Sequence, residues 1–196
     1  ISDPAIKMYD DIGLAWYVGH VDEDEMPTIA QLVIKLSESL KISRKSIVGY
    51  GSSGGGFAVL RLSTFIPEML AVVINPQINI IRYKNKSVDT FLKRYFNIMD
   101  RKDAHSKYAD RLDILQSINK LSNTRIIYAQ NTLDEHHYHH HFIPFAQAMG
   151  LDPQNNYCND KIDVVLFEHI EGHKKAETPE VFQLLMRKVI EKTFDL

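Results

Sequence analysis

The chain has 196 residues, 44% of them hydrophobic and 24% charged, which suits one globular unit with a sizeable core. A formal net charge of −2, with no basic run interleaved with aromatic residues, argues against nucleic acid as a partner. One cysteine, Cys158, excludes an internal disulfide, and no apolar run approaches the roughly 20 residues of a membrane span. The N-terminus lacks the basic-then-apolar pattern of a secretory leader, so the expected location is cytoplasmic. It begins at Ile1, which suggests a processed or incomplete chain.

Residues 13–18 (Gly-Leu-Ala-Trp-Tyr-Val) predict a buried strand. The acidic run from Asp22 to Glu25, with Pro27, opens a helix whose stripe is Ile29, Leu32, Val33, Leu36 and Leu40. Residues 46–50 predict a second strand running into glycines, 57–65 a helix, and 70–74 a third strand ending at Asn75-Pro76. Between 76 and 123 the chain is more polar and aromatic, with helices expected near 90–98 and 110–118. This stretch is too short to bury much of a core alone and reads as a helical cap insertion in a single domain spanning 1–196. Residues 124–129 predict a fourth strand. Residues 138–149 predict a helix kinked or restarted at Pro144, and 161–167 a fifth strand. Thr178 and Pro179 open a last helix with the stripe Phe182, Leu185, Met186 and Val189. Strands alternating with helices imply an α/β fold with a mostly parallel sheet covered on both faces.

The informative segment is Gly51-Ser52-Ser53-Gly54-Gly55, between a strand and a helix. In a Gly-x-Ser-x-Gly turn the serine sits on a strained bend, and small residues two before and two after it avoid backbone clashes. Ser53 is then the candidate nucleophile, with Gly51 and Gly55 as the turn glycines. Gly54 offers a backbone N–H to an oxyanion at the helix start. The same letters, from Gly49 to Gly54, match the Gly-x-Gly-x-x-Gly of a dinucleotide loop. That loop wants an acid at the end of the next strand, where this chain has Asn75-Pro76-Gln77. An inert glycine turn is the third reading.

A serine nucleophile needs a base and a group that orients the base. Asp134 follows the fourth strand, with Glu135 as an alternative acid and a helix N-cap as the structural alternative for Asp134. His173, after Gly172, lies in the loop past the last strand, with His169 as the alternative base. The histidine-rich stretch 136–141 places 136/140 and 137/141 on shared helix faces and invites a zinc reading. It lacks an evident third ligand, and no metal is expected.

On Ser53, Asp134 and Gly172-His173 in that chain order, the sequence resembles the α/β-hydrolase superfamily across nearly its whole length. The resemblance implies a three-layer α/β/α sandwich and a Ser-His-Asp triad. The finer pattern, Gly-Ser-Ser-x-Gly-Gly followed by a strand ending Ile74-Asn75-Pro76-Gln77, resembles bacterial capsular polysaccharide O-acetyltransferases. That resemblance implies acetyl transfer from acetyl-CoA to a sugar hydroxyl, with no other cofactor required, and a saccharide ester as substrate or product. An esterase would use the same machinery. Ser52, Asn75 and Gln77 are the expected substrate contacts. A non-catalytic binding module is the alternative outcome. The superfamily usually has a further strand and loop ahead of the strand placed at 13–18, and that loop carries the second oxyanion donor. Only about a dozen residues precede it here, fewer than such a unit needs. Either upstream strands are absent from the chain or the donor lies elsewhere, and the turn at Val18-Gly19-His20 is the candidate.

Overall fold

A computed structural model describes residues 1–83, 86–175 and 177–194. Its centre is one five-stranded sheet in the order β1-β2-β3-β5-β4. The strands are β1 (Val48–Ser52), β2 (Leu70–Ile74), β3 (Arg125–Asn131), β4 (Tyr157–Cys158) and β5 (Ile162–Phe167). β1, β2, β3 and β5 run parallel, and β4 adds an antiparallel edge that the sequence reading did not anticipate. Among the described residues seven α-helices accompany the sheet: α1 (Glu25–Ser39), α2 (Ser53–Ser63), α3 (Lys86–Phe91), α4 (Arg101–Leu112), α5 (Glu135–His137), α6 (Ile143–Ala148) and α7 (Pro179–Phe194). No helix among the described residues is long and apolar enough to cross a membrane.

The alternation along the strands explains why both sheet faces are covered. Leu70, Val72 and Ile74 of β2, with Ile127 and Ala129 of β3, pack with Val181 and Leu185 of α7. Ala71, Val73, Ile126 and Tyr128 point the other way, onto Phe57 and Leu60 of α2 and Phe142 and Phe145 near α6. Every β2 side chain is buried, as continuous apolar strands require when helices lie on both faces.

The apolar stretch at 13–18 buries Ala15, Trp16 and Val18, but it is not a strand. It forms a turn in which Trp16 and Tyr17 adopt left-handed φ values of 54° and 57°. Its apolar side chains satisfy the core without a ladder: Trp16 is fully buried and meets Phe91 edge-on at 5.2 Å. α1 also departs from its predicted stripe. Asp24 caps it by accepting from the Met26 N–H, and its buried residues are Met26, Ile29, Ala30 and Ser37. Leu32, Leu36 and Leu40 are 56, 57 and 60% exposed. Ala30 packs on Ile66 and Met69, with Val33 and Ile34 partly buried against the same cluster.

Residues 76–123 hold α3, a wide π turn at Leu92–Phe96, α4 and a 3₁₀ stretch at Ile114–Asn123, so the helices begin and end elsewhere than expected. Residues 84 and 85 of this insertion lie outside the described residues. Its apolar side chains Ile78, Ile80, Val88, Phe91, Leu92 and Tyr95 join the same core as the sheet. Between β3 and β5, α5 precedes the stretch expected to be a helix at 138–149, which is a π turn at Tyr138–Phe142 followed by α6, restarting with Pro144 in its first turn, where the missing N–H costs nothing.

Candidate active site

Ser53 stands where β1 ends and α2 begins, with φ at +50°. A serine in this region is strained by about 1–3 kcal/mol, so the surrounding structure must enforce it. The enforcement is visible at Gly51, where a Cβ would lie 2.6 Å from the Gly55 carbonyl carbon and oxygen. Strand end and helix start are therefore packed backbone to backbone. The second close approach falls one residue later than predicted. A Cβ on Gly55 meets nothing within 4 Å, whereas one on Gly56 would lie 2.7 Å from Pro76 Cβ. At Gly54 an added Cβ would meet Leu14 Cδ1 at 2.7 Å and Trp16 Nε1 at 3.1 Å. The 13–18 turn thus presses against the residue after Ser53. As the second residue of α2, Gly54 has an N–H without an intrahelical acceptor.

His173 and Asp134 reach this turn from the C-terminal ends of neighbouring strands. The His173 Nδ1 lies 2.8 Å from Asp134 Oδ2, and its Nε2 lies 3.0 Å from Ser53 Oγ. An ionised carboxylate only accepts, so Nδ1 carries the hydrogen and donates it, leaving the Nε2 lone pair for the Ser53 hydroxyl. Asp134 is buried, while the His173 side chain is 34% exposed. Burial by itself would raise the Asp134 carboxyl pKa. Hydrogen bonds from His137 and His173 reverse that and hold it well below the usual carboxylate range. Asp134 also caps α5 by accepting from the His137 N–H, so the N-cap considered for it is present beside its contact with His173. Glu135 is exposed, and His169 Nδ1 accepts from the Glu171 N–H, so neither alternative occupies the line to Ser53.

The remaining predicted contacts fall into different places. Gln77 is fully buried beside the serine: its N–H donates to Ser53 O at 3.1 Å, and its Nε2 lies 3.4 Å from Ser53 Oγ. The Trp16 indole, which can only donate, hydrogen-bonds Gln77 Oε1 and so turns the Nε2 amine toward Ser53. Asn75, also fully buried and at φ +40°, accepts from the Asn131 N–H at 2.7 Å and pins the end of β2 to that of β3. Ser52 is the half-buried last residue of β1, and its side chain makes no cap hydrogen bond to α2. The Val18-Gly19-His20 turn is tied to its neighbours at several points. The Val18 N–H donates to Ala15 O, the His20 N–H donates to Glu23 O, and the Val18, His20 and Glu23 carbonyls accept from Arg111.

Two contributors were missed. Asn131, buried at the end of β3, donates through Nδ2 to His169 O at 2.8 Å and Gly172 O at 3.1 Å, and accepts from the His169 N–H at 3.0 Å. It shapes the loop that carries His173. A polar residue ending an apolar strand at the candidate-site end of the sheet was the available signal. The second is His137, whose ring stacks on His173 and shares Asp134. Asp134, His137 and His173 each offer a donor atom within 4.8 Å of the others. Both Nδ1 atoms lie within hydrogen-bond distance of one Asp134 oxygen, Oδ2, at 2.8 Å from His173 and 3.0 Å from His137. This fits a shared hydrogen-bond acceptor better than tetrahedral zinc.

Neither a family model nor a curated protein matches this sequence. Solved structures do share its fold. The capsule O-acetyltransferase of Neisseria meningitidis serogroup A aligns over 89% of this chain and 68% of its own, with a TM-score of 0.64 and 17% identity. The same enzyme in complex with caged gadolinium aligns over 90% of this chain and 68% of its own, at 0.60 and 16%. The glycosylation-associated protein complex Gap123 of Streptococcus agalactiae aligns over 90% of this chain, at 0.68 and 15%, and this chain spans 34% of its length. At these identities the likeness is one of fold.

Proposed function

We propose that the protein is a serine-nucleophile enzyme of the α/β-hydrolase superfamily that transfers an acyl group to or from a saccharide hydroxyl. The observation that carries this reading is the hydrogen-bonded line from Asp134 through His173 to Ser53 Oγ, with Ser53 on a positive-φ turn at a helix start. Ser53 Oγ attacks the acyl carbonyl carbon while its proton passes to His173 Nε2. The bond to the leaving group breaks, and His173 returns the proton to the departing alcohol or thiol. A second hydroxyl then attacks the acyl-enzyme, giving its proton to His173, and Ser53 is released with that proton. Asp134 keeps the His173 tautomer and balances the imidazolium charge.

The Gly54 N–H donates to the oxyanion, an interaction typically worth about 2.7–4 kcal/mol. Gln77 supplies a further donor beside Ser53, oriented by Trp16. The shared fold with a capsule O-acetyltransferase supports acyl transfer on a saccharide; acetyl-CoA is the acyl donor this proposal takes. The 76–123 insertion acts as a cap that selects the acceptor. Tyr83, within it, reaches the His137 ring at 6.0 Å.

A fluorophosphonate probe should label the wild type at Ser53 and leave Ser53→Ala unlabelled; equal labelling of both would remove the assignment. Acetyl-CoA consumption that rises on adding oligosaccharide marks a transferase. Consumption indifferent to every saccharide marks hydrolysis.

A further inference from the structure

The histidine-rich stretch supplies a residue that this acyl-transfer reading has not used. We infer that His137 is a positioning residue for the proton relay, its ring clamping the plane and tautomer of His173 from the side through a stack and a shared carboxylate. The inference rests on the function proposed above. The two rings are parallel within 1°, with centroids 4.0 Å apart. His137 Nδ1 lies 3.1 Å from Asp134 Oδ1 and 3.0 Å from Oδ2, beside the 2.8 Å contact from His173. Because the carboxylate only accepts, both Nδ1 atoms carry hydrogen, and both Nε2 atoms present lone pairs. For His173 this is the state that takes a proton from Ser53.

An N-cap requires only that Asp134 accept the His137 backbone N–H, which it does at 3.3 Å. The placement of the ring over His173 is additional. The chain achieves it by breaking off α5 after three residues and entering the π turn at Tyr138–Phe142, a helix irregularity frequent at functional sites. The turn brings fully buried His141 to 5.1 Å from His137. His141 Nδ1 accepts from the Ile78 N–H at 3.3 Å, so its Nε2 carries the hydrogen, whereas that of His137 does not.

The titratable and charged groups around His137 are Asp134 and His173, His136 and His141 from its own segment, Tyr83 from the insertion, and the more distant Arg82 beyond His141. Burial pushes the His137 pKa down against the pull of Asp134, with His173 lowering it further. The ring therefore stays neutral while His173 cycles. A neutral aromatic face stacked on His173 tolerates the imidazolium, where a second cation would repel it.

The test separates the hydrogen bond from the stack. His137→Phe keeps a ring without a donor, and His137→Asn keeps a donor without a ring. Two readouts are followed: the pH dependence of fluorophosphonate labelling at Ser53, and the ¹⁵N titration of the His173 ring. In His137→Phe the Asp134 charge falls more fully on His173, so both profiles should move to higher pH. Its plateau labelling rate should fall about tenfold. His137→Asn should restore the wild-type midpoint while its plateau stays about threefold low. Wild-type midpoint and plateau in a folded His137→Phe overturn the inference. If that variant does not fold, a wild-type plateau in His137→Asn overturns it. A wild-type protein that does not label at Ser53 counts against the proposed function instead, and the His173 titration still decides the role of His137.

Discussion

Acidification should destabilise this protein through the same histidine segment that lies against the site. His141 is fully buried, and its burial, aided by the neighbouring histidines and Arg82, pushes its pKa from the ordinary 6.5 down to about 2. The folded state thus keeps the ring neutral while the unfolded chain protonates it. A depressed histidine contributes stability that is complete above 6.5 and is lost as pH falls below it, because the unfolded state then binds more protons. At pH 5 an unfolded histidine of pKa 6.5 is almost wholly protonated. The linkage integral, about 1.4 kcal/mol per decade over roughly 1.5 decades, is then about 2 kcal/mol. The result depends on the unfolded value, since the folded value lies far below pH 5. His137, depressed in the same direction, adds to it. Ordinary carboxylates titrate near 4, so the window from pH 7 to pH 5 reports mainly on imidazoles. Urea denaturation at pH 7 and pH 5 should show a wild-type loss of at least about 2 kcal/mol, a large part of a typical 5–15 kcal/mol total. His141→Phe should be less stable at pH 7, because the Ile78 N–H loses its acceptor, yet should lose about 2 kcal/mol less between the two pH values. Equal losses in wild type and variant would refute the reasoning.

Two further outcomes follow from the geometry of the turn and of the loop. Gly51→Ala should destabilise by about 1–3 kcal/mol in a thermal or urea melt, since its Cβ would overlap the Gly55 backbone at 2.6 Å. Gly55→Ala, with nothing within 4 Å, should stay within about 0.5 kcal/mol of wild type, and the reverse order would contradict the close approach described for the turn. Asn131→Leu removes the hydrogen bonds that hold the His169 and Gly172 backbone, and so should lower Ser53 labelling by about 10²-fold through misplacement of His173. Wild-type labelling in a folded Asn131→Leu would show that the loop keeps its shape unaided.

The mostly parallel α/β architecture was legible because long-range order left local marks. Continuous apolar runs bounded by turns located β2 at its observed ends, Leu70 and Ile74. Thr178-Pro179 located the start of α7. Ser53, Asp134 and His173 stood out because each sits where a strand ends, and in a parallel sheet those ends converge on one edge. The same signal failed at 13–18. Apolar density marks burial, and a strand also needs a neighbour to complete its ladder, which no local pattern records. It failed again on α1, where Leu32, Leu36 and Leu40 keep a helical spacing but face away from the core.

Tertiary structure alone decided the partnerships. Trp16 aims the Gln77 amide across 61 residues of sequence, and Asn131 holds a loop some 40 residues away. His137 lies on His173 with both rings held at the Asp134 carboxylate. The sequence by itself determined which residue types were present and which strand ends they followed, since periodicity and turn chemistry act between near neighbours. Which carboxylate oxygen meets which imidazole, and which glycine the packing requires, depended on elements distant in the chain being brought within van der Waals reach. That is a property of the packed fold.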